Sequence, residues 1–502
     1  MTEFAEYFAQ RPGDILDRLR TLREADAPTH GGHVLSYVYD SGLAELDELA
    51  AEAIRIVQPV NGLDPTTFTS VAVMEREVVG FVRGLLHGGE DVVGNVTTGG
   101  TESCLLAVKT ARDNWRSRGG VGTPRLLAPT TVHAAFHKAA HYFGLDLDLV
   151  PVDAVTGLVA APSIAARMGA DVALVVVSAP SYPFAALDPI QEVAAAAVAL
   201  GIDCHVDACI GGLVLPFWSD LPPWDFAVAG VTSISADLHK FGYSPKGASV
   251  LLHRGLDRHR AQYFATTQWP GYPVVNPTML GSKSAGALAA SWAIIHALGA
   301  HGFAALAASC ERSTASLIET IRGIEGLAVV GAPVGPLIAV TTDDSIVEGL
   351  RVDPHHWADQ VRGHGFLLQL QPSVVQSDGT RLPCTTHLTI TPVTESVLPE
   401  LTAALVDAAD EVRGVPGVSP EAVAVALGDV GVDLGAVLGS AGLDSAGLDS
   451  ASSAALLAGL GLGTASGGMP DRMAPLLALI EALPAPVSER LLTELLARLV
   501  AP

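Results

Sequence analysis

The chain has 502 residues, 49% of them hydrophobic and 16% charged, and its formal net charge is −24 at pH 7. This composition is typical of a globular protein of two or three domains and excludes a largely disordered chain. The acidic balance excludes nucleic acid and anionic membranes as partners for the surface as a whole. Five scattered cysteines and an N-terminus without an apolar signal sequence indicate a cytoplasmic protein with reduced thiols. We expect no membrane anchor, because the most apolar stretch, residues 284–299, is short and is typical of a buried helix.

The N-terminal part predicts an arm over residues 1–65, followed by a long helix at 68–86. Residues 94–102, GNVTTGGTE, then lead into another helix. Gly100 and Thr101 open this helix, and free backbone N–H groups at such a position can bind a phosphate. Glycine and threonine are also ordinary helix caps, so the motif alone leaves both interpretations open.

Three histidines recur at four-residue spacing in the helix predicted for residues 132–143, namely His133, His137 and His141. A metal site would need further ligands, and no carboxylate lies nearby in the sequence. We therefore predict a packing or stacking role and no metal.

Buried strands alternate with helices in the next part of the chain, at residues 145–152, 172–178 and 202–207. This alternation predicts a parallel sheet, in which ligands bind at the carboxyl ends of the strands. Asp207 ends the third of these strands. Another strand, at 231–235, leads into a loop that contains Lys240, so both side chains are expected at the same edge of the sheet.

Lys240 lies in the sequence VTSISADLHKFGYSPKGASV, residues 231–250, between two predicted buried strands. The chain has only five lysines, and two of them, Lys240 and Lys246, fall in this stretch. A partly desolvated lysine in such a loop can form a Schiff base. Lysines more often occupy solvated turns, so this motif alone does not decide between the two.

A smaller α+β domain is expected from about Gly302, closed by a helix at residues 397–412. The composition then changes to alanine, glycine, leucine and serine, with a near repeat at 441–450. The predicted domains are an arm at 1–65, a large domain at 66–301, a small C-terminal domain at 302–414, and an Ala/Gly-rich linker with terminal helices at 415–502.

Four motifs together resemble one family: TTGGTES (97–103), HAAFHKAAHYFG (133–144), HVDACIGG (205–212) and VTSISADLHKFGYSPKGAS (231–249). The chain resembles the pyridoxal-phosphate-dependent lyases of the sphingosine-1-phosphate lyase branch, within the group II decarboxylase superfamily, from about residue 32 to 412. The resemblance implies an α/β protein of fold type I, with a mostly parallel seven-stranded sheet in a large cofactor-binding domain and a small α+β C-terminal domain. It also implies a homodimer with its sites at the subunit interface.

The resemblance implies a role for each matching residue. Lys240 forms the Schiff base with pyridoxal 5'-phosphate, Asp207 pairs with the pyridine nitrogen and His133 stacks on the ring. Gly100 and Thr101 hold the cofactor phosphate, with His239 nearby. Residues expected beside the substrate are Tyr182, Lys246, and an N-terminal tyrosine, Tyr37 or Tyr39, that reaches the partner subunit's site.

Two departures from the family pattern concern the substrate. Asp64 stands where the lyases have a histidine of the substrate-phosphate site, and Lys283 stands where they have an arginine. A carboxylate would repel a phosphate, and a lysine lacks the bidentate fork of arginine. We therefore expect an unphosphorylated small-molecule amino substrate.

Three functions fit the sequence. The first is a carbon–carbon lyase of the retro-aldol, aldehyde-lyase type, in which Lys246 or Tyr182 can act as the base. The second is an amino-acid decarboxylase of the group II type. The third, a catalytically silent scaffold, is disfavoured by the intact set of Lys240, Asp207 and His133.

Overall fold

The computed structural model describes residues 8–417, Ser450, Ser453 and residues 472–501. Most of the predicted linker at 415–468 therefore lies outside the described residues.

A seven-stranded sheet forms the centre of the larger part of the chain, in the order β1-β7-β6-β5-β4-β2-β3. Only β7 runs antiparallel to its neighbours, and the other pairs are parallel. The predicted mostly parallel α/β sheet is thus confirmed. The strands are β1 (Val92–Thr97), β2 (Arg125–Pro129), β3 (Asp146–Val150), β4 (Val172–Ser178), β5 (Asp203–Asp207), β6 (Ser233–Ala236) and β7 (Ser249–Arg254).

Helices surround this sheet because each has an apolar face that must be covered. Met74, Val78 and Val82 are the buried positions of one of these faces, and their spacing is helical. The helices up to the end of the sheet are α1 (Pro12–Arg23), α2 (Ala44–Val57), α3 (Thr69–Leu85), α4 (Gly100–Ser117), α5 (Ala134–Phe143), α6 (Ala161–Ala165), α7 (Ile190–Leu200) and α8 (Leu256–Arg260).

Strand β1 is not among the strands that the sequence predicts. It pairs with β7, and Gly94 lies opposite Leu252. A Cβ atom on Gly94 would lie only 2.1 Å from the carbonyl oxygen of Leu251. The glycine is therefore required by close packing within the sheet.

The helical segment α9 (Gly286–Arg322) connects the two parts of the chain. It consists of two helices that meet at a kink at Gly299, which has φ 53°, so the two helices that the sequence predicts, at residues 284–298 and 304–324, are confirmed. By length and composition α9 could cross a membrane, with a mean hydropathy of 1.5 over its most apolar window. In the fold it packs against α2 and α3, and its buried residues include Leu288, Ile294 and Phe303.

The small domain has a four-stranded antiparallel sheet, in the order β10-β11-β15-β12, with its own hydrophobic core. A short hairpin, β13–β14, forms a two-stranded sheet in the same domain. Another two-stranded sheet, β8–β9, comes before α9 in the chain. The predicted α+β character of this domain is confirmed. The strands are β8 (Phe264–Thr266), β9 (Val274–Asn276), β10 (Leu327–Val329), β11 (Leu337–Thr342), β12 (Gln369–Gln371), β13 (Val374–Val375), β14 (Arg381–Leu382) and β15 (Thr385–Thr389).

The helices of the small domain cover one face of this sheet, and two more helices end the described chain. Trp357 is fully buried, and its indole N–H donates to the carbonyl oxygen of Leu405, 2.9 Å away. The indole thereby ties two helices together. These helices are α10 (Pro354–Gly363), α11 (Thr394–Val412), α12 (Ala474–Ala482) and α13 (Ala485–Leu499).

Trp357→Ala should destabilise the small domain strongly. The change removes a buried ring and leaves the Leu405 carbonyl without its donor, so we expect a loss of roughly 3–5 kcal/mol in the free energy of unfolding. Urea unfolding followed by circular dichroism measures the loss. A midpoint equal to that of the unchanged protein would contradict this packing.

Candidate active site

A cavity of about 530 Å³ opens at the carboxyl edge of the central sheet. Six of the predicted site residues line it, and they come from separate parts of the chain. They are Tyr37, Tyr39, His133, Tyr182, Asp207 and Lys240. Strand pairing explains why Asp207 and Lys240 lie close together. Strands β5 and β6 are neighbours, and Asp207 lies opposite Ser235, five residues before Lys240.

Lys240 lies in the turn after β6, and its amine forms an ion pair with Asp237, with Nζ 3.0 Å from Oδ2. The Asp237 side chain is only 1% exposed, so this pair is protected from water. Burial disfavours the ammonium, but the carboxylate of Asp237 outweighs it and raises the pKa of Lys240 well above its ordinary value. Asp237 therefore holds the Lys240 amine in its charged form.

Asp207 ends β5 and is buried. Its Oδ1 accepts a hydrogen bond from the backbone N–H of Cys209 at 3.1 Å and lies 3.4 Å from the hydroxyl of Ser235. Burial alone would raise its pKa, but the nearby His133 and Lys240 reverse the effect, so the pKa falls below the ordinary value. The carboxylate therefore stays ionised and can pair with a protonated ring nitrogen.

Neither Gly100 nor Thr101 lines the cavity, but the N-terminus of α4 lies close to Asp237, the partner of Lys240. Gly99 precedes the helix with φ 144°, and the backbone N–H of Ser103 is the first to bond back, to the Gly99 carbonyl oxygen. A Cβ on Gly100 would lie 2.5 Å from Oδ2 of Asp237, and one on Gly99 would lie 3.2 Å from the ring of His239. The glycines thus keep the N-terminus of α4 open beside the Lys240 turn, where its free N–H groups suit an anion. Thr101 is exposed there.

His133 caps α5, and its Nδ1 accepts a hydrogen bond from the backbone N–H of Ala135 at 3.1 Å. The imidazole is therefore fixed at the cavity wall. His137 and His141 lie on the exposed face of α5 instead. The regular histidine spacing reflects a solvated helix face, and only the first of the three reaches the cavity.

Tyr37 and Tyr39 line the cavity of their own chain. The expectation that an N-terminal tyrosine reaches the partner subunit's site stays a prediction. Tyr37 has φ 59°, in the left-handed region, and is 68% exposed. Burial raises the pKa of Tyr39 to about 12, although Lys240 opposes the shift, so its hydroxyl stays protonated at neutral pH.

Tyr182 packs against a buried histidine of the small domain, His387, with ring centroids 4.2 Å apart and ring planes tilted by 32°. Burial lowers the pKa of His387 to about 3, so this ring is neutral. Burial also raises the pKa of Tyr182. Tyr182 is thus a neutral hydrogen-bond donor in a fixed position, at the junction of the two domains.

Lys246 does not line the cavity but lies behind Tyr39. Its Nζ is 4.5 Å from the centroid of the Tyr39 ring and donates to the carbonyl oxygen of His239 at 3.1 Å. Although the side chain reaches solvent, desolvation of the amine and then the charge of Lys240 lower its pKa to about 8. Lys246 is therefore partly neutral near physiological pH.

Asp64 and Lys283 line a second, larger cavity of about 1370 Å³ that does not include Lys240. Asp64 accepts hydrogen bonds from Thr66 and Thr67, which lower its pKa to about 2 and keep it ionised. Nζ of Lys283 donates to the hydroxyl of Thr278. Within one chain these two residues are separate from the Lys240 cavity, and their assignment to the substrate stays a prediction.

Asp237 and a group of cysteines are features of the site that sequence reasoning missed. Asp237 follows a strand and resembles an ordinary strand cap, although one of its oxygens is buried without a hydrogen-bond partner within the described residues. Cys104 and Cys209 lie beside Asp207, with the three ligand atoms within 4.8 Å of one another.

The fold, the buried Lys240 and the carboxylates of Asp207 and Asp237 near it define the class of pyridoxal-phosphate-dependent enzymes. Comparison with known proteins identifies the family. The conserved domain of pyridoxal-dependent decarboxylases matches residues 43–339. The chain therefore belongs to the pyridoxal-dependent decarboxylase family. A second family model, for the C-terminal helix-turn-helix domain of pyridoxal-dependent enzymes, matches residues 433–498 and so overlaps the segment predicted as a linker.

The similar curated proteins are sphingosine-1-phosphate lyases. The lyase of Oryza sativa is 33% identical over 80% of this chain and 74% of its own length. Those of Dictyostelium discoideum and Rattus norvegicus are each 36% identical over 66% of this chain, and cover 63% and 59% of their own lengths. The chain thus matches less than two thirds of these last two proteins.

Solved structures agree with this assignment. The sphingosine-1-phosphate lyase of Burkholderia pseudomallei superimposes with a TM-score of 0.74 at 32% identity, over 83% of this chain and 96% of that chain. A Lactobacillus brevis glutamate decarboxylase has a TM-score of 0.70 at 18% identity, over 82% of this chain and 95% of that chain, and shares the fold. Fold type I, predicted from the motifs, is confirmed.

The residues present fit pyridoxal 5'-phosphate, the cofactor that the family implies. The free N–H groups at the start of α4 suit its phosphate, and the ionised Asp207 suits its ring nitrogen. Lys240 supplies the amine, with its Nζ inside the same cavity.

Gly100→Ala should weaken binding of pyridoxal phosphate by about tenfold or more, because the new Cβ would collide with Asp237 at the start of α4. Titration of the protein with the cofactor, followed by absorbance, measures the affinity. Gly80→Ala is the matched control, since a Cβ at Gly80 in α3 meets nothing within 4 Å. Equal affinities of the two variants would show that Gly100 is not part of the phosphate site.

Proposed function

We propose that the protein is a pyridoxal-phosphate-dependent carbon–carbon lyase of the aldehyde-lyase type, acting on an unphosphorylated amino substrate. The observation that carries the reaction class is the meeting of Lys240, Asp207 and His133 in one cavity. The similarity to sphingosine-1-phosphate lyases supports cleavage that releases an aldehyde. We also propose that it works as a homodimer in the cytoplasm.

The bound cofactor supplies an electron sink for the bond that breaks next to the substrate amine. The protein's part is to hold and orient the reactants. Lys240 presents its amine from the turn after β6, and Asp207 keeps a negative charge at the far end of the cavity. His133, fixed by its bond to Ala135, forms a flat wall against which a ring can stack.

A retro-aldol cleavage needs a base for the proton of the substrate hydroxyl. Tyr182 was one candidate, but burial raises its pKa, so its hydroxyl can donate a hydrogen bond but cannot accept that proton. Lys246, with a pKa of about 8, is partly neutral near physiological pH, so its amine is the better candidate to accept the proton. The ring of Tyr39 separates Lys246 from the cavity, so we propose that the proton reaches Lys246 by way of the Tyr39 hydroxyl or a water beside it.

The lining of the cavity supports a substrate without a phosphate. Among the described residues that line it, Lys240 and His133 are the only basic ones, and both lie on the cofactor side. The rest of the lining includes apolar residues such as Phe184, Leu370 and Leu382. A phosphate beside these apolar residues would lose its hydration, and the described lining offers no cation on that side to replace it. A neutral or apolar substrate tail suits this lining better.

An amino-acid decarboxylase is the second candidate. The match to the decarboxylase domain supports it, since the same cavity can orient a carboxylate as the leaving group. It differs from the lyase in its products, carbon dioxide and an amine.

A panel of substrates distinguishes the candidates. We expect aldehyde release from unphosphorylated sphingoid bases or β-hydroxy amino acids, and no carbon dioxide from plain amino acids. Phosphorylated sphingoid bases should have a kcat/KM at least about tenfold lower than their unphosphorylated forms. A preference for the phosphorylated form would overturn the substrate proposal, and carbon dioxide as the main product would overturn the aldehyde-lyase proposal.

The pH dependence tests the base. If neutral Lys246 accepts the proton, kcat should rise with pH below about 8 and level off above it. Lys246→Arg keeps a positive charge that does not titrate, so kcat should fall by roughly 10²–10⁴-fold and lose this limb. Lys138→Arg, a change at a surface lysine on α5, is the matched control. An unchanged profile in Lys246→Arg would exclude Lys246 as the base.

A further inference from the structure

One wall of the Lys240 cavity comes from the small domain. Residues 369–383, which we name the mouth segment, run from β12 through the β13–β14 hairpin. Its apolar side chains Leu370, Pro372, Val374 and Leu382 line the cavity. Val374 is 44% exposed, so this wall reaches the protein surface at the mouth of the cavity.

Strand pairing of β12 with β15 and hydrogen bonds to other parts of the chain hold the mouth segment at its ends. The side chain of Gln376 pairs with the backbone of Val152 in the large domain, with both hydrogen bonds at 2.8 Å. At the other end, His355 bonds the carbonyl oxygen of Gln371 at 2.9 Å. Between them lies Ser373, flanked by the cavity residues Pro372 and Val374.

Ser373 is held by the C-terminal helices. Glu481, near the end of α12, accepts hydrogen bonds from the backbone N–H of Ser373 at 3.1 Å and from its hydroxyl at 2.7 Å. The same hydroxyl accepts a bond from Arg381 of β14 at 2.9 Å. The Glu481 carboxylate therefore holds Ser373, which lies between two cavity-lining residues. Through the Ser373 hydroxyl it also holds Arg381 on the second strand of the hairpin.

Helix α12 is itself anchored to the small domain. Asp359 of α10 accepts hydrogen bonds from the backbone N–H groups of Met473 and Ala474, at 2.8 and 3.0 Å, and so caps the start of α12. Glu481 is thus presented from a fixed helix. A charged acceptor with two donors in such a position gives a strong and directional contact.

We propose that Glu481 is a positioning residue for the substrate: it holds the mouth segment in place, so that the C-terminal helices set which substrate tails the cavity accepts. The consequence for substrates rests on the proposed lyase function, whereas the effect on the mouth segment does not. Residue 481 lies outside the decarboxylase domain at 43–339 and inside the C-terminal match at 433–498. The C-terminal region therefore has a role in recognition rather than in cofactor binding.

Hydrogen–deuterium exchange of the full-length protein, saturated with pyridoxal phosphate, tests the positioning. In Glu481→Ala, amides of residues 372–383 should exchange about fivefold faster or more, while those of α4 and the Lys240 turn should not change. Glu481→Gln keeps one acceptor and should give an intermediate effect. Glu489→Ala is the matched control, because Glu489 is an exposed carboxylate on α13. Unchanged exchange in Glu481→Ala would overturn the proposal.

Steady-state kinetics test the consequence for the substrate. In Glu481→Ala, KM should rise about tenfold with kcat changed less than about twofold, and the rise should grow with the length of the apolar tail. Cofactor affinity should stay equal to that of the unchanged protein. Faster exchange with an unchanged KM would overturn the role in recognition. If no member of the substrate panel reacts in the unchanged protein, the lyase proposal fails, and the exchange data alone decide the positioning.

Discussion

The charge balance around Lys240 is the constraint on which the rest of the site depends. A buried ammonium is costly unless a counter-charge accompanies it, and Asp237 supplies that charge at 3.0 Å. The pair is possible because Gly100 leaves room for Asp237 at the start of α4. An amine held in this way is protonated, so it must transfer its proton before it can act as a nucleophile. Asp237 is thus as much a part of the machinery as the lysine.

The two domains divide the work at the cavity. The large domain contributes the charged groups, Asp207, Lys240 and His133, from strand ends and helix starts whose geometry the sheet fixes. The small domain contributes the mouth segment, which is mainly apolar or neutral. Because the charges lie on one side and the apolar surface on the other, changes in the small domain can alter substrate preference without disturbing the cofactor's partners.

Two features of the chain favour a substrate without a phosphate. In the sequence, Asp64 and Lys283 stand in place of a histidine and an arginine of the related lyases. In the structure these two residues line a different cavity of the same chain, where Asp64 is held by two threonines. In the Lys240 cavity, the basic residues among the described lining are Lys240 and His133, and both lie on the cofactor side.

The sequence by itself determined the sheet, the class of the protein and the residues closest to the cofactor. Strands that are apolar throughout and alternate with helices have few alternatives to a parallel sheet, and motifs at strand ends must meet at one edge. Local pattern was not sufficient where a residue serves a distant contact, since nothing near Gly94 in the sequence reveals the Leu251 carbonyl that lies beside it.

Only the tertiary structure decided the surroundings of those residues. Asp237 becomes the partner of Lys240, Tyr37 and Tyr39 reach the cavity of their own chain, and Glu481 supports the mouth segment from more than a hundred residues away. These surroundings also set the protonation of the side chains. Burial raises the pKa of Tyr182, and burial together with the charge of Lys240 lowers the pKa of Lys246. Desolvation and charge neighbours are properties of three-dimensional packing, and a one-dimensional pattern does not contain them.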